Sequence, residues 1–125
     1  MGSGVRERRA VGTDTIEEGS GRKYLFQEPG DVRPHEILVF RLEGRLHAMD
    51  TLCPHEGGRL AEGPLAAGRY PRCPLHLYKF RPETGEAIDL DPDTGESVRI
   101  ECEPAKVYEV LERDGEAVIR ERPYA

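Results

Sequence analysis

The stretch CPHEGGRLAEGPLAAGRYPRCPLH, residues 53–76, concentrates the chemistry of this sequence. Within twenty-four positions it holds two of the three cysteines and two of the four histidines. The motif CPH at residues 53–55 is followed by CPLH at residues 73–76, and seventeen residues separate them. Two short loops that each present a thiolate and an imidazole are able to converge on one metal site. The candidate ligands are Cys53, His55, Cys73 and His76.

The composition indicates one small β-rich domain. A chain of 125 residues, 37% of them hydrophobic, is long enough for a single domain with a modest core. Ten prolines and fourteen glycines favour turns and short strands over long helices. The net charge of −6 and the lack of a continuous basic patch argue against a nucleic-acid partner. The longest apolar run is four residues, so no membrane span or membrane partner is expected.

The ends of the chain suggest where this domain begins and stops. Residues 1–7 are expected to be a flexible leader, residues 8–121 the domain, and residues 122–125 a tail. The Arg8-Arg9 pair is not followed by the apolar segment of an export signal. Three cysteines without a signal peptide do not form a disulfide framework, and the expected location is the cytoplasm.

Short apolar runs bounded by turn residues predict strands, and no segment keeps the 3.6-residue period of a helix. The fold class is therefore predicted as all-β. Asp114-Gly115 predicts a tight hairpin between the last two strands. The related sequences PETGE (82–86) and PDTGE (92–96) predict two similar turns. The predicted strands are KYLFQ (23–27), EILVFRL (36–42), RLHAM (45–49), SVRIECE (97–103), KVYEVLE (106–112) and EAVIRE (116–121).

The remaining cysteine and histidines are given structural roles. Val98, Ile100 and Cys102 alternate along one predicted strand, which predicts that Cys102 is a buried small hydrophobe and not a ligand. His47 is expected to be half-exposed on a strand, and His35 to be solvated in a turn.

The two motifs and their surroundings resemble a Rieske-type iron–sulfur domain, whose pattern is Cys-x-His, a spacer of this length and Cys-x-x-His. The segments GRLHAMDTLCPHEGGRLAEGPL and CPLHLYKFRPETGEA are similar to low-potential Rieske ferredoxins and to the small subunit of assimilatory nitrite reductase. Weaker similarity covers residues 11–121. The resemblance implies a Rieske-type fold, with a small antiparallel β sandwich base and an inserted cluster-binding β subdomain at about 51–89.

The resemblance also implies one 2Fe–2S cluster, with Cys53 and Cys73 on one iron and His55 and His76 on the other. Neutral imidazole ligands raise the reduction potential relative to a cluster held by four thiolates.

Departures from the high-potential members predict a low potential. Those members join the two loops by a disulfide, but the matching positions here are Gly58 and Leu75. They also donate hydrogen bonds to the sulfurs from a serine and a tyrosine, where this chain has Tyr78 and Phe80. Fewer donors stabilise the reduced cluster less, which predicts about −150 mV rather than about +300 mV. Leu77 stands where a glycine usually follows the second histidine.

The implied function is one-electron transfer, without catalysis, from a flavoprotein reductase to an oxygenase or another acceptor. A non-catalytic small subunit of a reductase complex, of the nitrite reductase type, is the alternative. A structural zinc domain uses the same donors, but zinc fingers pair like ligands and this chain alternates them. A terminal oxygenase needs two further histidines and a carboxylate on a second iron, for which the chain has too few histidines.

Overall fold

A computed structural model of the chain describes residues 7–27, 29–52, 59–73, 78–101 and 103–121. Within these ranges the helical content is a single 3-10 turn, Thr13–Thr15, and no helix is long and apolar enough to cross a membrane. The predicted all-β class is confirmed. The strands are β1 (Glu7–Val11), β2 (Ser20–Phe26), β3 (His35–Leu42), β4 (Arg45–Asp50), β5 (Gly63–Pro64), β6 (Lys79–Phe80), β7 (Ala87–Leu90), β8 (Ser97–Arg99), β9 (Val107–Arg113) and β10 (Glu116–Glu121).

The strands form two antiparallel sheets of unequal size. Seven strands make the larger sheet in the order β1-β10-β9-β4-β3-β2-β5, and β6-β7-β8 make the smaller one. The smaller sheet lies in sequence between β4 and β9, which are neighbours in the larger sheet. A base with a smaller β unit inserted between two of its strands is the predicted architecture. The bounds 8–121 and 51–89 stay predictions, and β8 begins at Ser97, beyond the expected end of the inserted unit.

Strand β3 separates two hydrophobic cores, which explains its continuous apolar run. Ile37, Leu38, Val39 and Phe40 are all fully buried, because both faces of this strand are covered. We call the core on one face the base core and the core on the other face the insert core. The base core contains Ala10, Ile16, Ile37, Val39, Leu46, Ala48, Tyr108, Ala117 and Ile119. The insert core contains Leu38, Phe40, Leu42, Met49, Leu60, Leu65, Cys73, Phe80, Ala87 and Ala105.

The hairpin and the two related turns form as predicted. Asp114 and Gly115 have φ angles of 51° and 79°, as a two-residue turn with two left-handed positions requires. In PETGE and PDTGE, the residue just before the motif accepts a hydrogen bond from the glycine N–H at 2.8 Å. Gly85 and Gly95 adopt almost the same φ, 78° and 76°. The two turns differ in surroundings, since Gly85 is buried and Gly95 is exposed.

An arginine ties the segment before β2 to the body of the larger sheet. Arg41 donates from Nε to the carbonyl of Ile16 at 2.8 Å and from Nη2 to that of Thr13 at 2.9 Å. It also donates to both carboxylate oxygens of Glu112, at 2.9 and 3.2 Å. This contact lowers the pKa of Glu112 and raises that of Arg41. The carboxylate is therefore charged at neutral pH.

Three predictions differ from the structure. The strand expected over 97–103 is shorter, because β8 ends at Arg99. Val98 is 57% exposed, so its predicted place on a buried face is wrong. Its pairing partner on β7 is Asp89, which is exposed as well. His35 begins β3, with Nε2 3.7 Å from Asp31. Strands β1, β5, β6 and β7 were not among the predicted strands. Cys102 lies outside the described residues.

Candidate metal centre

The first predicted ligand loop, residues 53–58, is flanked by two residues that pair with each other. Leu52 and Arg59 form an isolated antiparallel bridge on either side of the loop. One residue further out, the N–H of Leu60 donates to the carbonyl of Thr51 at 2.8 Å. Cys53 and His55 belong to this loop and lie outside the described residues.

The second ligand loop is closed in the same manner. Arg72 and Lys79 form an antiparallel bridge. Inside it, the N–H of Cys73 donates to the carbonyl of Tyr78 at 2.8 Å, and outside it the N–H of Phe80 donates to Pro71 at 2.9 Å. His76 belongs to this loop and lies outside the described residues.

The bases of the two loops are joined to each other. The N–H of Ala61, two residues after the first bridge, donates to the carbonyl of Arg72 at 2.9 Å. The residues that flank the two Cys/His motifs are thus adjacent, and the convergence of the four ligands themselves stays a prediction. Of the four predicted ligands, the described residues include only Cys73.

Cys73 provides the test of whether this site suits an iron–sulfur cluster. Its side chain is fully buried in the insert core, together with Leu60 and Phe80. Its thiolate is a soft donor that suits iron, and an apolar shell keeps water from a bound cluster. The residue therefore fits the cofactor. Phe80 is fully buried in this core and Tyr78 packs against it, while the shortage of donors to sulfur stays a prediction.

Sequence reasoning missed a polar cluster beneath the first loop. Thr51 is fully buried, and its hydroxyl donates to Oε1 of Glu36 at 2.8 Å. The hydroxyl oxygen of Thr51 accepts a hydrogen bond from Nη1 of Arg59 at 3.2 Å, and Nζ of Lys23 lies 3.6 Å from Glu36 Oε1. Arg59, a charged residue just after the first motif, is the one sequence signal for this cluster. The acid at its centre, Glu36 on β3, is not apparent from sequence spacing.

The two histidines outside the Cys/His motifs, His35 and His47, lie on strands β3 and β4. His47 stacks on Phe40 across β3 and β4, with ring centroids 5.4 Å apart, and is partly buried as predicted. Among the residues that the structure describes, no group of three or more histidine, cysteine, aspartate or glutamate side chains is placed to hold a metal ion.

Two Cys/His motifs flanked by β-bridges, with a buried cysteine at the start of the second motif, are the arrangement expected of an iron–sulfur electron-transfer domain. The Rieske 2Fe-2S domain family matches residues 13–109. The chain belongs to this family.

Known relatives agree with this assignment. The ferredoxin component of the alkene monooxygenase system of Xanthobacter autotrophicus is 36% identical over 90 residues, which are 70% of this chain and 74% of that one. The ferredoxin subunit of 3-phenylpropionate/cinnamic acid dioxygenase from Photorhabdus laumondii is 33% identical over 108 residues, 84% and 88% of the two chains. The solved ferredoxin of Sphingomonas yanoikuyae B1 superposes with a TM-score of 0.65 at 25% identity, covering 94% of this chain and 100% of that one.

These findings confirm the predicted family, fold and 2Fe–2S cofactor. They also confirm the predicted class of function, which is electron transfer within an oxidoreductase system rather than catalysis by the chain itself.

Proposed function

We propose that this chain carries single electrons on a 2Fe–2S cluster held by Cys53, Cys73, His55 and His76, from a flavoprotein reductase to an oxygenase, in the cytoplasm. The observation that carries the proposal is the buried Cys73 at the base of a loop that is hydrogen-bonded to the base of the other Cys/His loop. Both relatives described above are ferredoxin components of oxygenase systems, which supports an oxygenase as acceptor.

The described residues have separate roles at this site. A bound 2Fe–2S cluster supplies one-electron redox chemistry. The bridges Leu52–Arg59 and Arg72–Lys79 fix the ends of both loops, so the ligands are presented from short closed segments. Phe80, fully buried in the same core as Cys73, excludes water from the cysteine side of the site.

A redox titration followed by electron paramagnetic resonance tests the proposal. The purified protein is expected to give a rhombic signal of a mixed-ligand 2Fe–2S cluster, with a midpoint potential near −150 mV. A midpoint near +300 mV would keep the cluster but contradict the argument from Gly58, Leu75, Tyr78 and Phe80. A silent spectrum, with zinc in the elemental analysis, would replace the carrier by a structural zinc domain.

Substitutions of the cysteines and of one histidine test the ligand set. Cys53→Ser and Cys73→Ser are expected to abolish or strongly reduce iron loading, whereas Cys102→Ala, the matched control, should leave the absorption spectrum unchanged. His76→Cys is expected to retain two irons and to lower the potential, because a thiolate replaces a neutral ligand. Full iron loading of Cys53→Ser, or an unchanged potential in His76→Cys, would remove that residue from the ligand set.

Purification at high salt separates a carrier from a fixed subunit. A lone chain supports the carrier, while a stoichiometric partner that survives high salt supports a reductase subunit of the nitrite reductase type.

A further inference from the structure

The two ligand loops differ in how they are attached to the rest of the protein. Backbone hydrogen bonds within the inserted part of the chain close the second loop, from the N–H of Cys73 to Tyr78 and from the N–H of Phe80 to Pro71. The first loop has backbone contacts too, but it is also held by side chains from the larger sheet. Thr51 connects the two, because it follows β4 directly and precedes the bridge at Leu52.

Thr51 meets Glu36 through both its backbone and its side chain. Its N–H donates to the carbonyl of Glu36 at 3.1 Å, and its hydroxyl donates to the carboxylate at 2.8 Å. The hydroxyl oxygen in turn accepts from Arg59, on the far side of the loop. The buried hydroxyl of Thr51, before the loop, therefore contacts both Arg59, after the loop, and Glu36 on β3.

The acid at the centre of this link is held in place by β2. Nζ of Lys23 lies 3.6 Å from the Glu36 carboxylate, and both side chains are mostly buried, with 26% and 21% of their surfaces exposed. The backbone of Lys23 is also held, because its N–H donates to the carboxylate of Glu62 at 2.7 Å. Glu62 lies shortly after the first loop, so β2 contacts the returning segment at a second point.

We propose that Glu36 and Thr51 are positioning residues that hold the first ligand loop closed against the larger sheet. The inference rests on the proposed function, in which that loop carries Cys53 and His55. A buried hydrogen bond to a charged group is worth more than one between neutral groups, and its loss leaves the partner groups unsatisfied. Removing the link is therefore expected to open the first loop selectively and leave the second loop closed.

Thr51→Val tests this with Thr51→Ser as the matched control. Valine has the shape of threonine without the hydroxyl, whereas serine keeps the hydroxyl and loses a methyl group. Hydrogen exchange of the purified protein reads both loops, because the Leu60 N–H reports the first and the Phe80 N–H the second. We expect exchange at Leu60 to be about tenfold faster in Thr51→Val, with Phe80 unchanged and Thr51→Ser close to wild type.

The loaded protein provides the second readout. Cluster release to an iron chelator is expected to be about tenfold faster in Thr51→Val than in Thr51→Ser, and Glu36→Gln should also release faster than wild type. Equal acceleration at Leu60 and Phe80, or equal release by the two Thr51 variants, would overturn the positioning role. Absence of a 2Fe–2S signal from the wild-type protein would instead overturn the proposed function, and the exchange pattern of the purified chain would still decide how the loop is held.

Discussion

The two related turns provide a controlled test of how the smaller sheet is fixed to the base. Gly85 and Gly95 share sequence context, turn geometry and a left-handed φ. A Cβ added at Gly85 would stand 2.0 Å from the carbonyl oxygen of Ala105, whereas at Gly95 it would meet nothing within 4 Å. Gly85→Ala and Gly95→Ala therefore carry the same backbone strain, and only the first adds a collision with the chain that leads into β9.

The difference in stability follows from these distances. Alanine in the left-handed region costs about 1 kcal/mol at either turn. At Gly85 the Ala105 carbonyl must also retreat, and the hydrogen bond from the Ala105 N–H to the Gly85 carbonyl, 2.8 Å long, is disrupted. That bond contributes roughly 1 kcal/mol, and repacking of an overfilled contact adds about 1–3 kcal/mol. We expect Gly85→Ala to lower the free energy of unfolding by about 2–4 kcal/mol more than Gly95→Ala.

Urea titrations of both variants at neutral pH measure this difference directly. In thermal unfolding, about 3 kcal/mol corresponds to a gap of roughly 12 °C between the two melting temperatures for a domain of this size. Equal destabilisation of the two variants would refute the reasoning, because it would mean that the approach of Gly85 to Ala105 contributes nothing to the attachment of the smaller sheet.

Phe80→Ala, with Leu111→Ala as its control, tests the packing of the insert core, and Glu112→Gln tests the ion pair with Arg41. Phe80→Ala, at a fully buried position, is expected to lower the free energy of unfolding by about 3–5 kcal/mol, and Leu111→Ala, at a side chain 58% exposed, by less than about 1 kcal/mol; similar losses in urea titrations would contradict the assigned burial. Glu112→Gln is expected to cost about 1 kcal/mol at pH 7, because it removes the charge paired with Arg41. Arg41 holds the pKa of Glu112 below its ordinary 4.5, so this stabilisation is present above pH 4.5 and disappears as the pH falls below that value. The urea midpoints of wild type and variant should therefore converge as the pH falls through the lowered pKa of Glu112, and a gap that is constant with pH would argue against the pair.

Local patterns predicted those parts of the fold that depend on neighbouring residues. The Asp114-Gly115 turn and the apolar run of β3 were both apparent, since turn chemistry and burial leave direct traces in sequence. Strand β1 was not apparent, because one of its two inward positions is Arg8, which is only 5% exposed. The burial predicted for Val98 is wrong because alternation alone does not distinguish an edge strand with one open face from a covered strand.

At the candidate site, too, the features that neighbouring residues determine are visible in the sequence, and the contacts between distant residues are not. The repeated Cys/His motif predicts two converging loops, and the one of its four ligand residues that the structure describes, Cys73, lies buried where the second loop begins. The contact between Glu36 and Thr51 joins residues fifteen positions apart and depends on where β3 and β4 pair. No spacing rule connects these residues, so only the three-dimensional structure relates them.

The division into two cores suggests an order of events during biosynthesis. Every residue of the base core belongs to the larger sheet or to the segment before β2, so this core can be completed by chain segments that bind no iron. The insert core combines that sheet with the segment that carries the Cys/His motifs. The base core can thus form in a chain that holds no cluster, and cluster binding bears on the insert core, which includes Cys73. Maturation then amounts to closing one core, rather than folding the whole protein around its cofactor.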